Sequence, residues 1–176
     1  MQNKILFLSP YPLDKAPSQR LKFEQYYAAF ENAGYEVTTK SFVSLSFWNF
    51  IYKNGFFFKK LIYTLFSYAK RFGHLFSIRK YDIVYVHLWV TPFGFPLYEF
   101  LVKLLSKKLI YDIDDMIFLG HASKANSFVS LIKGKSKVNY LLKHADHVIT
   151  CTPALDEYAR NFNKNTTDIS STIDTE

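Results

Sequence analysis

The stretch Leu109-Ile-Tyr-Asp-Ile-Asp-Asp115 decides how the rest of the sequence is interpreted. Its short apolar run is typical of a buried parallel strand. Ligands of open α/β sheets bind outside the carboxyl ends of the strands, so this strand would carry Asp112, Asp114 and Asp115 to that position. Three neighbouring carboxylates repel one another, and they hold a cation, bind hydroxyl groups or have raised pKa values. The alternative is that one acid caps a following helix and the others are solvated.

Strand-like and helix-like segments alternate on both sides of this stretch, which predicts an α/β fold. The predicted strands are Lys4–Ser9, Tyr35–Phe42, Asp82–Val86, Leu109–Asp112, His147–Thr152 and Asp168–Ile173. The predicted helices are Pro17–Ala33, one or two helices within 47–80, Pro96–Ser106, Ser136–His144 and a last one from Thr152 or Pro153 to about Asn161. We therefore expect a doubly wound, Rossmann-like open parallel sheet with helices on both faces. The first loop lacks G-x-G-x-x-G, which disfavours ordinary dinucleotide binding.

Composition indicates one domain, residues 1–176, with 49% apolar residues and a good core. The single cysteine, Cys151, excludes a disulfide framework and suits a reducing compartment. Met1–Lys4 lead directly into a strand, so no signal peptide is expected. The net charge of +7 is concentrated in residues 47–80, which contain seven basic residues and no acid, whereas the rest of the chain has 15 of each.

The acidic string also resembles the nucleophile motif of haloacid-dehalogenase phosphatases, in which the first aspartate attacks phosphorus and the one two positions later is the general acid. Those residues would be Asp112 and Asp114. Three features argue against a phosphatase: a hundred residues precede the motif, Met116 replaces a threonine, and no later Gly-Asp-x-x-x-Asp supplies a magnesium site.

Other candidate binding residues follow the first and third predicted strands. His87 and Trp89 end the third strand, where the imidazole would bond a substrate hydroxyl or phosphate; the alternative is a structural histidine. Tyr11 lies in the loop after the first strand. Ser18 and Arg20 stand at the amino end of the first helix, where backbone N–H groups favour an anion, although simple capping by Ser18 with a solvated Arg20 explains them equally well.

Residues 47–80 combine many aromatic side chains with cations, and they predict a peripheral membrane contact. A membrane span needs about 20 apolar residues nearly free of charge, and the lysines interrupt every such window. The pattern suits an amphipathic helix lying in the interface, to which each basic residue contributes on the order of 1 kcal/mol. The candidate membrane-binding residues are Lys53, Phe57, Phe58, Lys59, Lys60, Lys70 and Arg71. The alternatives are ordinary core aromatics, or a non-enzymatic membrane-binding module; no nucleic-acid recognition motif accompanies the charge.

Read in order, three segments resemble the amino-terminal domain of a retaining GT-B glycosyltransferase of family 4. They are Lys4-Ile-Leu-Phe-Leu-Ser-Pro-Tyr-Pro12, Ala145-Asp-His-Val-Ile-Thr-Cys-Thr-Pro-Ala-Leu-Asp-Glu-Tyr158 and Asp168-Ile-Ser-Ser-Thr-Ile-Asp-Thr-Glu176. The resemblance implies one half of a GT-B architecture, the acceptor side. A nucleotide-sugar donor would be held mainly by a carboxyl-terminal domain that this chain lacks. The implied acceptor is a membrane-associated glycan, lipid-linked or polysaccharide, and the implied location is the cytoplasm, at the inner face of the membrane.

The resemblance implies catalysis without a bound metal or other cofactor, because helix dipoles and basic side chains stabilise the diphosphate leaving group. Two positions depart from the family pattern. Ala16-Pro17-Ser18 replaces a Gly-Gly turn, so Arg20 would substitute for a backbone–phosphate contact. Asp114 aligns where many members carry a histidine, which places Asp114 near the reacting sugar in altered form. The catalytic candidates are thus Asp112, Asp114, Asp115 and His87.

Overall fold

A six-stranded sheet, in which every strand is parallel to its neighbours, organises this computed structural model, which describes residues 2–114 and 135–169. The strands are β1 (Asn3–Ser9), β2 (Tyr35–Ser41), β3 (Ile83–His87), β4 (Leu109–Asp112), β5 (His147–Thr150) and β6 (Thr166–Asp168). Their spatial order is β2-β1-β3-β4-β5-β6. The predicted α/β class with an open parallel sheet is confirmed.

The helices connect consecutive strands and cover the sheet. They are α1 (Pro17–Lys22), α2 (Tyr27–Asn32), α3 (Leu45–Ile51), α4 (Phe57–Leu75), α5 (Leu97–Leu105), α6 (Lys135–His144) and α7 (Pro153–Arg160), with 3₁₀ turns at Glu24–Tyr26 and Ile78–Lys80. In the described part of the chain, no helix is both long enough and apolar enough to cross a bilayer.

Alternation along β1 supplies both faces of the sheet, because successive side chains of a strand point to opposite sides. Ile5 and Phe7 belong to a core with Phe23, between α1 and α2, and the rings of Phe7 and Phe23 stack at 5.1 Å between centroids. Leu6 and Leu8 belong to the larger core that includes buried residues of α5, α6 and α7. Burial of each such side chain is worth about 1.5–3 kcal/mol, so these two cores hold the helices on the sheet.

The predicted helix Pro17–Ala33 is in fact two short helices joined by a 3₁₀ turn. Phe23 ends α1 with a φ of −147°, outside the helical range, while its ring is buried against Phe7. Core packing of one aromatic ring therefore overrides a continuous helical pattern. At the carboxyl end, β6 lies at Thr166–Asp168 rather than Asp168–Ile173, and residues 170–173 lie outside the described part.

The order of the strands places a crevice at the carboxyl ends of β1 and β3. The connection from β1 leads outward to β2, and the next connection crosses back to β3 on the other side of β1. Ligands of open α/β sheets bind at such a topological switch point. Tyr11 and Trp89, which follow β1 and β3, therefore flank the position where the fold favours a ligand.

Candidate active site and exposed apolar helix

His87 and Asp112 form a hydrogen-bonded pair at the carboxyl ends of β3 and β4. The two residues are register partners in neighbouring strands, and Nδ1 of His87 lies 2.7 Å from Oδ2 of Asp112. Both side chains are fully buried. A carboxylate on Nδ1 favours the tautomer that carries the proton on this nitrogen, and Nε2 then faces Asp114.

Asp114 faces the other side of the same imidazole. Its Oδ2 lies 3.9 Å from Nε2 of His87, which is too long for a direct hydrogen bond but leaves the two atoms on either side of one narrow gap. Among the described residues, neither Nε2 of His87 nor Oδ1 of Asp114 has a hydrogen-bond partner, although both atoms are buried. The side chain of Asp114 is 15% exposed and is thus the member of the group that solvent reaches.

Burial raises the pKa of Asp114, and the charge of Asp112 raises it further, whereas His87 and Lys22 oppose the shift. A carboxyl group with a raised pKa accepts a proton more readily than a solvated one, which is the property required of a general base. The backbone carbonyl of Asp114 is fixed separately, because it accepts a hydrogen bond of 2.9 Å from Sγ of Cys151. Burial also raises the pKa of that thiol, which disfavours the reactive thiolate.

Lys22 completes what we call the acid–histidine cluster: His87, Asp112, Asp114 and Lys22. Its Nζ lies 3.5 Å from Oδ1 of Asp112 and donates a hydrogen bond of 3.1 Å to the carbonyl of Ile169. The side chain is only 4% exposed. The sequence did not single out Lys22, since a lysine at a helix end is usually solvated. The available signal was Asp112, because a buried carboxylate is usually paired with a cation.

A strained turn follows His87 and fixes its position. Leu88 has a φ of +59°, and the N–H of Trp89 donates to the carbonyl of His87 at 2.7 Å, so the chain makes a three-residue turn of a rare kind. Two hydrogen bonds hold the backbone of Leu88. Its N–H donates to the carbonyl of Asp112 at 2.9 Å, and its carbonyl accepts from the hydroxyl of Tyr111 at 2.9 Å. Such strain costs about 1–3 kcal/mol and concentrates at functional sites.

The predicted binding residues Tyr11 and Trp89 lie together beside this turn. Their rings meet edge to face at 6.3 Å, and the ring of Tyr11 also meets that of Trp48, from α3, at 5.2 Å. The side chain of Gln19, fully buried, accepts from the N–H of Tyr11 at 2.8 Å and donates to its carbonyl at 3.0 Å. Gln19 therefore positions the loop after β1, a role that the sequence did not reveal.

Ser18 and Arg20 are not drawn into this arrangement. The side chain of Ser18 does not cap α1, whose N-cap is Ala16, and Arg20 is exposed. Among the described residues, neither side chain forms a hydrogen bond or ion pair. A helix of six residues is also too short for a pronounced dipole, so the geometry gives no support to the predicted anion site.

Asp115, the third acid of the motif, lies outside the described residues. Within residues 2–114 and 135–169, no group of three or more imidazole, thiol and carboxylate side chains is arranged to hold a metal ion. Asp112 is fully buried between His87 and Lys22, where it cannot reach an external phosphorus atom. The phosphatase alternative, in which this residue is the nucleophile, is therefore disfavoured by geometry.

The helix α4 carries its apolar side chains outward. An exposed stripe runs along its length and consists of Phe58, Leu61, Ile62, Leu65, Phe72 and Phe76, the last residue just beyond the helix; Phe58 is 76% exposed. The buried side of the same helix includes Ser67 and Arg71. Leu75 of the same helix is buried in the larger core, so α4 is apolar on both sides. A continuous exposed apolar stripe of this kind is typical of an interaction surface.

Five of the predicted membrane-binding residues are exposed: Lys53, Phe57, Phe58, Lys59 and Lys70. Lys60 is half-buried and donates to the carbonyl of Lys53. The assignment of Arg71 is corrected, because this residue is 1% exposed and its guanidinium donates to the carbonyls of Ser9 and Lys40, each at 2.9 Å. Carbonyls at the ends of two strands draw the guanidinium inward, so Arg71 holds α4 on the sheet and has no access to a membrane.

Comparison with known proteins adds no relative to this description: no protein-family model matches the sequence, and no curated protein matches it either. A functional assignment therefore depends on the geometry of the acid–histidine cluster and of α4.

Proposed function

We propose that this chain is the acceptor-side domain of a retaining GT-B glycosyltransferase, which transfers a sugar from a nucleotide-sugar donor to a membrane-associated glycan. The acid–histidine cluster is the observation that carries the proposal. It places a carboxyl group with a raised pKa beside an oriented imidazole, at the carboxyl edge of the sheet and next to the switch point of the fold. The resemblance of three sequence segments to family 4 supports the same assignment.

In this proposal Asp114 is the residue that touches the acceptor. A sugar hydroxyl donates a hydrogen bond to the carboxylate of Asp114. The carboxylate accepts the proton as the hydroxyl oxygen bonds to the anomeric carbon of the donor, on the face from which the nucleoside diphosphate departs; the bond between that carbon and the phosphate oxygen breaks, and the configuration is retained. Nε2 of His87 lies across the gap of 3.9 Å as the second polar group facing the acceptor, and Asp112 holds the imidazole in position. Lys22 neutralises Asp112, so the buried cluster carries two acids, one lysine and one histidine.

Tyr11 and Trp89 are proposed to bind the sugar rings of the acceptor. They present aromatic surface beside the cluster, and aromatic faces pack against the apolar faces of sugars while hydroxyl groups bond to the neighbouring polar atoms. The donor and its diphosphate are assigned to a second domain outside this chain. The chain alone should therefore bind nucleotide sugars weakly and transfer nothing.

Transfer by the chain together with the second domain tests this function. Asp114→Asn should reduce kcat at least tenfold while leaving the fold intact, because an amide accepts no proton. Asp82→Asn is the matched control, since Asp82 precedes β3 at the opposite edge of the sheet, where it pairs with Lys107. Unchanged kcat in Asp114→Asn would refute the role of the cluster. Tight binding of a nucleotide sugar by the isolated chain in calorimetry, with transfer, would refute the division between domains.

We further propose that α4 attaches the domain to an anionic membrane surface. The outward stripe of α4 supplies apolar area, and the exposed Lys59 and Lys70 flank it. Residues 47–80 contain no acid, and their exposed cations are Lys53, Lys59, Lys70, Arg79 and Lys80, each worth about 1 kcal/mol where it meets headgroups. An acceptor embedded in the same membrane would then reach the acid–histidine cluster while it remains in the membrane.

Flotation with vesicles tests the attachment. Binding to anionic vesicles should weaken with salt and with Lys59→Glu plus Lys60→Glu. The matched control is Lys135→Glu plus Lys164→Glu, which makes the same change of charge on two exposed lysines elsewhere. Absence of binding at low salt, or equal loss in both double variants, would refute a membrane contact through α4.

A further inference from the structure

A groove separates the carboxyl halves of α4 and α5. The two helices are joined near their middle and beginning, where the rings of Tyr68 and Tyr98 meet at 5.7 Å and the hydroxyl of Tyr98 donates to the carbonyl of Tyr68 at 3.2 Å. The groove has a volume of about 350 Å³ and is lined by Phe72, Leu75, Phe76, Arg79, Leu101 and Leu105. This volume lies at the lower end of the range of small-molecule sites.

The lining combines five apolar side chains with one cation. Phe72 and Phe76 form one wall, with their rings edge to face at 5.5 Å. Arg79 is exposed, and among the described residues no carboxylate lies within ion-pair distance of it. Within residues 2–114 and 135–169, no acid lines the groove. A ligand that suits this lining has a hydrocarbon part and a negatively charged group at one end.

The groove opens on apolar surface along both helices. Phe72 and Phe76 belong to the outward stripe of α4, and α5 exposes Leu97, Phe100 and Leu104. The surface that we assign to the membrane thus continues across the groove to the second helix. A lipid in that membrane lies at the entrance of the groove, whereas a ligand from solution must reach it through the layer of headgroups.

We propose that the groove binds one hydrocarbon chain of an anionic phospholipid, with Arg79 on its phosphate. The inference rests on the proposed membrane attachment and adds to it a specific lipid site. A guanidinium suits this role because it binds phosphate oxygens through two parallel hydrogen bonds. The five apolar side chains exclude water from the methylene groups. The site is separate from the acid–histidine cluster, since it lies near the amino ends of β3 and β4.

A monomeric lipid with a single chain tests the site without vesicles. Lauroyl lysophosphatidylglycerol, kept below its critical micelle concentration, should bind the protein in calorimetry. Glycerol phosphate, which lacks the acyl chain, should not bind. Arg79→Gln should weaken binding about tenfold or more, because a charge-assisted hydrogen bond is lost. Lys80→Gln, the neighbouring exposed cation outside the groove, should change it less than about twofold. Since Arg79 is exposed, its substitution leaves the fold intact.

Substitutions in the apolar wall test whether the acyl chain of the lipid lies in the groove. Leu101→Trp, which fills the groove, should abolish binding, whereas Leu104→Trp, on the exposed side of the same helix, should preserve it. Equal affinity in Arg79→Gln and in the original chain would overturn the proposal, as would binding of glycerol phosphate alone. Concentration-dependent dimerisation that Leu101→Trp abolishes, seen in sedimentation, would assign the groove to a second copy and also overturn it. Because no vesicle and no sugar is present, this result is independent of flotation and of transfer.

Discussion

Replacement of Asp114 by asparagine should stabilise the fold while it removes the proposed base. Asp114 is held in a buried position in which its pKa is raised, first by burial and then by the charge of Asp112. The ionised form is therefore less favourable in the folded chain than in the unfolded chain. Below the unfolded pKa, about 3.9, both states are protonated and no penalty arises; above the folded pKa the penalty is complete.

The raised pKa of Asp114 lowers the free energy of unfolding, because proton binding and folding are linked. Each unit by which folding raises the pKa of Asp114 costs about 1.4 kcal/mol at neutral pH. The side chain is 15% exposed, so solvent screens part of this cost, and we expect Asp114→Asn to recover about 1 kcal/mol, within the 0.5–2 kcal/mol that single stabilising substitutions commonly give. For a chain of this length, that gain corresponds to a rise in Tm of about 2–4 °C. The gain should vanish at a pH below about 3.9.

Thermal unfolding of both proteins as a function of pH measures this difference. Asp82→Asn is a control with the opposite sign, because the ammonium group of Lys107 and the N–H of Lys4 lower the pKa of Asp82. That variant should lose stability at neutral pH. A lower Tm in Asp114→Asn at pH 7 would show that the carboxylate is a structural group. A gain that persists unchanged in acid would show that the amide forms a new contact, and it would refute the electrostatic reasoning.

Three further outcomes are expected. Arg71→Met should cost at least about 2 kcal/mol in denaturant unfolding, because the carbonyls of Ser9 and Lys40 each lose a charge-assisted hydrogen bond from the buried guanidinium. Lys137→Met should cost about 3–5 kcal/mol, since it leaves Glu99 buried without the ammonium at 3.4 Å, and the double variant with Glu99→Leu should recover most of that loss. Burial, and then the charges of Arg71 and its neighbours, lower the pKa of His74 to about 3, so stability should fall as the pH drops from about 6.5 towards that value. His74→Gln should flatten this part of the profile of Tm against pH.

The sheet could be predicted from the sequence where a strand is short, apolar and buried. Ile83–His87 and Leu109–Asp112 fulfil this condition, and their positions agree with the prediction within one or two residues. The strand Thr166–Asp168 does not, because it lies at the edge of the sheet and is largely exposed, so no apolar pattern marks it. The break at Phe23 also has no local signal, since it depends on a ring of another element.

The candidate site was predictable only where it depends on the order of the strands. Strand order alone brings His87 next to Asp112, because both residues end neighbouring strands. Lys22, Gln19 and the strained turn at Leu88 depend on contacts between distant parts of the chain, which residue types do not specify. A polar residue in the interior is recognised only when its partner is known.

The central position of β1 between β2 and β3 has a consequence for the order of events during synthesis. The ribosome delivers the chain from its amino end at about 5–20 residues per second, and β1 has both partners only when His87 has emerged. The aromatic helix Phe57–Leu75 is complete several residues earlier, before the sheet that covers its buried side exists. Under the proposed membrane attachment, this helix would therefore meet lipid while the sheet is still incomplete, and attachment would precede folding rather than follow it.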